Sequence, residues 1–302
     1  MKRIVRFGLF VYHGEGKVQV SYIVLFSTYP GVACEDKLVY TRLRYIKREN
    51  ESSDRKPMQT AALVLAAGAG TRMKSDKPKV VHEVLGTPMI RWVVDAAHAA
   101  GIEHVVTIVG HKREEVIPLV PDTQIAIQEK QRGTADAVLS AREALADFDG
   151  SLVVLSGDCP LITPKTIKAL IEMREDADAA VVVLTMQLDD PFGYGRIIRD
   201  GEGRVERIVE QKDASPEEAA VCECNSGFYC FDASRLFAAL EKVSNDNAQG
   251  EFYLTDVLAI CREAGDAVCA LVTDDPMECL GVNTTEQLAN VADIMQVRIA
   301  AE

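Results

Sequence analysis

From residue 61 onward, short apolar runs alternate with amphipathic stretches, and this alternation limits the possible folds more than any other feature of the chain. Residues 61–67 are uninterruptedly apolar and read as a buried strand. Residues 88–100 have helical spacing, with Pro88 at the start and Gly101 just past the end. The series continues with strand 104–109, short helix 112–119, strand 124–128, helix 134–146, strand 152–155, helix 164–174 and strand 179–186. Repeated β-α units predict an α/β fold: a mostly parallel, Rossmann-like sheet with helices on both faces. After Asp189 the pattern changes, because Gly193, Gly195, Gly201 and Gly203 punctuate short β-like runs through Glu210. A strand at 225–231, helices at 233–242 and 252–262, a strand at 267–272 and a Thr-capped closing helix at 284–300 complete the expectation. It divides residues 58–302 into a half of about 58–187, a β-rich half of about 188–283 and the closing helix, with residues 1–57 standing apart.

The first strand runs into Gly68 and Gly70, and Arg72, Lys74, Lys77 and Lys79 follow within ten residues. Glycines at a strand end let backbone amides approach an anion with no Cβ in the way, and the cations behind can neutralise it. At the carboxyl end of a parallel strand this is a candidate phosphate cradle. The spacing excludes a P-loop, since no G-x-x-x-x-G-K-[ST] occurs, and it excludes the dinucleotide fingerprint, since Met73 stands at its third glycine. On these residues alone an ordinary tight turn explains the two glycines equally well.

The totals narrow the function classes. A chain of 302 residues with net charge −13 disfavours nucleic acid as a partner. Residues 1–57 carry 11 Lys and Arg against 6 Asp and Glu, whereas the remainder carries 22 against 40. A basic cluster in so acidic a domain is therefore informative about an anionic ligand. The eight cysteines contain no C-x-x-C pair. Cys222, Cys224 and Cys230 lack a neighbouring His and read as buried thiols rather than metal ligands, which fits a reducing cytoplasm. No apolar run is long enough to cross a membrane. His13, Glu15 and Lys17 interrupt any signal-peptide core, and Gly31 to Cys34 resembles a lipoprotein cleavage site only loosely. Residues 1–57 are expected to be a poorly ordered extension, with Met58 a natural start for the domain. The sequence carries no signature of an oligomeric state.

The whole string Leu63 to Lys79, with L-x-x-A-A-G-x-G-T-R-M followed by P-K, closely resembles the signature of the sugar-nucleotide pyrophosphorylases. The continuation from Val80 to Met89 narrows the resemblance to the uridylyltransferase domains of bacterial UDP-N-acetylglucosamine pyrophosphorylases. It extends from about Ala61 to Thr284 through at least six separated motifs in order. The fold it implies is that of the nucleotide-diphospho-sugar transferases. The activity it implies is transfer of a uridylyl group from UTP to N-acetylglucosamine 1-phosphate, feeding cell-wall precursor synthesis in the cytoplasm with Mg²⁺ as cofactor. Residues 1–57 match nothing in that family. The acetyltransferase β-helix of the bifunctional bacterial enzymes is not matched either, since no hexapeptide repeats occur here. Ser156 stands where related enzymes often carry an aromatic residue.

The resemblance assigns candidate roles. Arg72 and Lys79 would be catalytic, acting on the triphosphate. Leu65, Ala67, Gly68, Gly70, Gln128, Gly133 and Thr134 would hold the nucleotide. An amide such as that of Gln128 offers both a donor and an acceptor, which suits a uracil edge. Gly195, Glu210 and Asn225 would hold the sugar, with Glu251, Tyr253 and Thr255 as further candidates, while Tyr194 and Tyr229 are expected to pack. Asp158, directly after a buried strand, and Asn283 would be the metal ligands. Taken singly, Asp158 has a turn-capping role before Pro160 as its lesser alternative, whereas Asn283 reads first as an N-terminal cap or turn residue. A transferase for another sugar or nucleotide, of the UDP-glucose or dTDP-sugar type, and a non-catalytic nucleotide-binding homologue are the competing expectations.

Overall fold

Two parallel neighbours flank the strand that ends in the glycines, and this places the site. The computed structural model describes residues 8–14, 17–23, 45–47, 58–68, 70–73 and 75–301. The chain divides into two units, Met1–Pro57 with Asp200–Gly203, and Met58–Arg199 with Arg204–Glu302. In the first, β1 (Gly8–Gly14), β2 (Lys17–Ile23) and β3 (Tyr45–Lys47) form an antiparallel sheet in that order. The expected disorder of the extension and the cleavage-site reading at Cys34 fall largely outside the described residues.

In the second unit β4 (Gln59–Ala66) leads through a short hairpin, β5 (Glu83–Val84) and β6 (Thr87–Pro88), into α1 (Met89–Ala99). Then follow β7 (His104–Val109), α2 (Arg113–Val116), β8 (Gln124–Ile127), α3 (Thr134–Leu139) and β9 (Gly150–Ser156). Next come α4 (Pro164–Ala177), β10 (Val181–Gln187), β11 (Arg196–Arg199), β12 (Val205–Val209) and α5 (Pro216–Ala219). The unit closes with β13 (Glu223–Asp232), α6 (Ala233–Leu240), α7 (Asp256–Glu263), β14 (Val268–Val272) and α8 (Thr285–Ala301).

β4 lies between β9 and β7 and is parallel to both, with Leu65 opposite Ser156 on one side and Ala66 opposite Val109 on the other. β8 adds to β7 in parallel. Beyond β9, β13 runs antiparallel and pairs with β10, which pairs in parallel with β14. The β11–β12 hairpin joins β13 where Arg196 faces Cys224. Most strands of the sheet thus share one direction, with β13 and the edge strand β12 running against it. The chain leaves β4 toward β7 and leaves β9 toward the opposite edge, which puts the topological switch point between the carboxyl ends of β4 and β9.

Alternate residues of each strand feed two cores, because successive side chains point to opposite faces. Leu63, Val106, Val154 and Val183 pack with Val138 of α3, Leu236 of α6 and Val257 of α7. Val64, Val105, Val153 and Val182 pack with Val93 of α1 and Ile167 of α4. Each such side chain contributes about 1.5–3 kcal/mol on full burial. A third cluster seats α8, through Val291 and Met295, on Met73, Val84, Met89, Leu161 and Val282.

Several expected helices are shorter than their spacing suggested, the one at 112–119 being α-helical only over Arg113–Val116 with a 3₁₀ turn after it, and two have a visible cause. α3 stops at Leu139 rather than 146: the Ser140 hydroxyl donates to the Ala137 carbonyl at 2.6 Å and competes with helix continuation, leaving only a 3₁₀ turn at Glu143–Leu145. α7 begins at Asp256 rather than 252, because Phe252 is spent on another segment: its amide donates to Arg132 at 2.8 Å and its carbonyl accepts from Ala135 at 2.9 Å.

Candidate active site

Gly70 has φ +64°, and a Cβ built there would lie 2.6 Å from the Cβ of Lys79. Glycine is therefore what lets the loop after β4 fold onto the segment that carries Lys79. Arg72 sits in a 3₁₀ turn, Thr71–Met73, and Lys79 opens another, Lys79–Val81. Lys74 lies outside the described residues. Asp158 follows β9, whose end is pressed against β4: the Gly157 amide donates to the Leu65 carbonyl at 2.9 Å, and a Cβ on Gly157 would stand 2.9 Å from that oxygen. Asn283 precedes α8, its amide donating to Gln287 Oε1 at 2.7 Å, while the neighbouring Val282 amide donates to the Asp158 carbonyl at 3.0 Å.

These four side chains meet. Lys79 Nζ pairs with Asp158 Oδ2 and donates to Asn283 Oδ1 at 2.9 Å. Asn283 Oδ1 also accepts from Arg72 Nη2 at 2.8 Å. A carboxylate oxygen and an amide oxygen thus converge on one cationic point, beside a second cation. Both are hard oxygen donors, the type that suits Mg²⁺. At the neighbouring Gly68 nothing among the described residues, chain neighbours apart, lies within 4 Å of a built Cβ. The carbonyl of Ala67 accepts from the His111 amide at 3.3 Å and from Gln131 Nε2.

The segment expected to bind the base lies beside this strand end. Gly110 links them, since a Cβ there would be 2.9 Å from Ala67 Cβ and 3.2 Å from the Gln128 carbonyl. Gln128 is 6% exposed. Its Nε2 donates to the Gly133 carbonyl at 3.1 Å and to Asp136 Oδ2 at 2.9 Å. Gly133 has φ +123° and would clash as any other residue, because its Cβ would lie 2.3 Å from the Phe252 carbonyl oxygen. Thr134 Oγ1 accepts from the Leu254 amide at 2.9 Å. Gly133 and Thr134 therefore dock the loop before α7.

That loop leads into the residues assigned to the sugar. Thr255 donates to Glu210 Oε1 at 3.1 Å. A Cβ on Gly195 would lie 3.5 Å from both Glu210 Oε2 and Asn225 Cβ, and the Asn225 amide donates to the Gly195 carbonyl at 2.9 Å. Glu210, Asn225, Gly195 and Thr255 are thus one cluster. Burial pushes the Glu210 carboxyl above its ordinary value; Thr255 opposes this, and Asp213, Asp256 and Glu251 add to it. Tyr253 is buried, with its hydroxyl 3.4 Å from Asp213 Oδ2, and Glu251 is tied within its own loop by Asn247 Oδ1 at 3.2 Å. Tyr229 packs as expected, its ring stacked on Phe231, and its hydroxyl also lies 2.8 Å from Asn225 Nδ2 and 3.0 Å from Oδ1. Tyr194 is half-buried against the α1–α4 core.

Sequence reasoning missed Gln131, Asp136 and the link from Tyr229 to Asn225. Asp136 had a signal, standing two residues after Thr134 in the first turn of a helix. A broad cleft of about 1080 Å³ between Leu139–Asp149 and α6 contains none of the assigned residues. A hollow of about 410 Å³ includes Gln128, Arg132 and Asp136. Cys224 and Cys230 are buried in β13, their thiols pushed up by burial to about 11 and about 12. Among the described residues no helix is long and apolar enough to cross a membrane.

A parallel sheet whose first strand ends in a glycine loop, at the switch point and beside converging cations and hard oxygen donors, defines a nucleotide-handling α/β domain. The family model of the MobA-like NTP transferase domain matches residues 62–264, and the chain belongs to this family of nucleotidyltransferases. The Bifunctional protein GlmU of Geobacter metallireducens is 47% identical over 245 residues, 80% of this chain and 52% of that protein. Its namesake in Lactobacillus delbrueckii subsp. bulgaricus is 51% identical over 243 residues, 80% of this chain and 53% of that one. The chain spans about half the length of these curated relatives. A crystal structure of UDP-glucose pyrophosphorylase complexed with UDP-glucose superposes with TM-score 0.64 at 17% identity, covering 80% of this chain and all of that one, which establishes the shared fold.

Proposed function

We propose that this domain is a uridylyltransferase that joins N-acetylglucosamine 1-phosphate to UTP, forming UDP-N-acetylglucosamine and pyrophosphate. The observation that carries the reading is the convergence of Arg72, Lys79, Asp158 and Asn283 at the carboxyl end of β4. A binding module has no use for all four. The separate Gly195–Glu210–Asn225–Thr255 cluster supplies the carboxylate and amide groups that sugar hydroxyls require.

A sugar phosphate has a second pKa of about 6, so near neutrality it is already a dianion and needs no general base. One of its oxygens attacks the α-phosphorus of UTP, and the bond from that phosphorus to the β-phosphate oxygen breaks as pyrophosphate leaves. The chain must bring two anions into line and disperse charge on the leaving group. In this reading Arg72 and Lys79, which share Asn283 Oδ1, hold the triphosphate, and the amides near Gly68 and Gly70 fix it. Asp158 and Asn283 would hold Mg²⁺, which when bound neutralises phosphate charge. The test is a panel of nucleoside triphosphates and sugar 1-phosphates read by pyrophosphate release. UTP with N-acetylglucosamine 1-phosphate is expected to give the highest kcat/KM. A higher value for glucose 1-phosphate or for dTTP would overturn the substrate assignment, and nucleotide binding without turnover would overturn the enzyme.

A further inference from the structure

Gln128 lies at the end of β8 with both protons of its carboxamide nitrogen engaged, one by the Gly133 carbonyl at 3.1 Å and one by Asp136 Oδ2 at 2.9 Å. A carbonyl and a carboxylate can only accept, so the nitrogen must occupy that end of the amide and the oxygen the other. Among the described residues nothing donates to Oε1. Asp136 is itself held: Arg132 donates to its Oδ1 through Nε at 3.1 Å and Nη2 at 2.6 Å, and the Arg132 guanidinium lies 5.6 Å from the centre of the Phe252 ring. Only 11% of the Asp136 side chain is exposed. The amide that was expected to offer a donor and an acceptor therefore offers an acceptor alone.

We infer that Asp136 is a specificity-determining positioning residue that, by fixing the Gln128 carboxamide, makes this site accept a base bearing an imide N–H and reject cytosine. The inference rests on the reading above that a uridine nucleotide binds at Gln128. On the free edge of uracil the only donor is N3–H, so an acceptor-only amide must meet it there. Cytosine has a bare lone pair at that nitrogen, so a cytosine held in the same register sets two acceptors against each other, while its 4-amino donor stands one ring position away, where uracil presents O4. A buried polar group left unpaired in this way is what discriminates strongly between similar substrates. Asp136 touches no base; it acts through Gln128.

The test compares kcat/KM for UTP and CTP, with N-acetylglucosamine 1-phosphate, in the wild-type chain, Asp136→Ala and Asp136→Asn. The alanine variant deletes the acceptor. The asparagine variant keeps the volume but can present either a nitrogen or an oxygen, so it no longer dictates which way Gln128 points. The expected result is a UTP:CTP ratio about 10-fold lower in both variants, the scale of losing one hydrogen bond to a charged group, with most of the change in the KM for CTP. Gly133 retains the second proton, so preference falls without vanishing. A merely structural role would lower both substrates together and leave the ratio unchanged, which overturns the inference. Should Asp136→Ala fail to fold, the isosteric variant decides alone. If the wild-type chain itself shows no preference for UTP over CTP, the uridine reading fails and this inference with it. A preserved wild-type preference with an unchanged ratio in the variants sinks only the role of Asp136.

Discussion

Lys79 donates to both oxygens that would hold the metal, so its loss should be felt in the reaction and little in the fold. Lys79→Ala is expected to lower turnover by about 100-fold, the scale of removing one electrostatic donor, with an unchanged far-ultraviolet circular dichroism spectrum. Near-normal turnover would remove Lys79 from the reaction. Glu210 makes an opposite kind of prediction. Burial raises its carboxyl above the ordinary glutamate value, so the folded chain keeps that proton to a higher pH than the unfolded chain. The group therefore subtracts stability as pH rises from the unfolded value through the folded one, and the deficit persists at neutrality. Glu210→Gln keeps the acceptor for Thr255 and abolishes the buried charge. Its melting temperature at neutral pH should rise by about 2 °C or more, and the KM for the sugar phosphate should rise about 10-fold or more. A lower melting temperature would mean that the carboxylate is stabilised by contacts stronger than its burial penalty.

At the scale of elements, Gly133 is the joint between the segment proposed to bind the base and the loop proposed to bind the sugar. Any Cβ there meets the Phe252 backbone, and the positive φ disfavours other residues. Gly133→Ala should push residues 247–256 off the start of α3 and raise KM for both substrates, together with a loss of about 2 kcal/mol or more in urea unfolding. A change in KM for one substrate only would show that the two segments are independent. α8 offers a control. Thr284 Oγ1 accepts from the Gln287 amide at 3.2 Å and caps the helix whose entry carries Asn283. Thr284→Ala should cost about 1 kcal/mol of stability and weaken metal binding, read as a higher Mg²⁺ concentration for half-maximal turnover. Two of the element boundaries that sequence periodicity misjudged lie where a distant segment or a single hydroxyl took the backbone partner. The α7 start was displaced by the pairing of Phe252 with Arg132 and Ala135, and the α3 end by Ser140.

For the molecule as a whole, every residue assigned to the reaction lies in the unit beginning at Met58. A chain starting there is expected to retain the turnover of the full chain in the pyrophosphate assay, and a large loss would give residues 1–57 a part in the reaction. The β-α alternation and the glycine-ended first strand were legible without coordinates, because apolar periodicity and backbone freedom are properties of neighbouring residues. So were Arg72, Lys79, Asp158 and Asn283 as separate candidates, each matched to a motif. What local spacing does not contain is who meets whom. Arg72 and Asn283 stand 211 positions apart, and only the parallel packing of β4 against β9, with α8 seated over the loops, brings them to one oxygen. The same holds for Asp136, which the sequence reading did not single out: its grip on Gln128, and so the chemistry that Gln128 can offer, came from how α3 sits against the end of β8. The order of structure along the chain was set by near neighbours, while the direction in which each polar atom points was set by contacts across it.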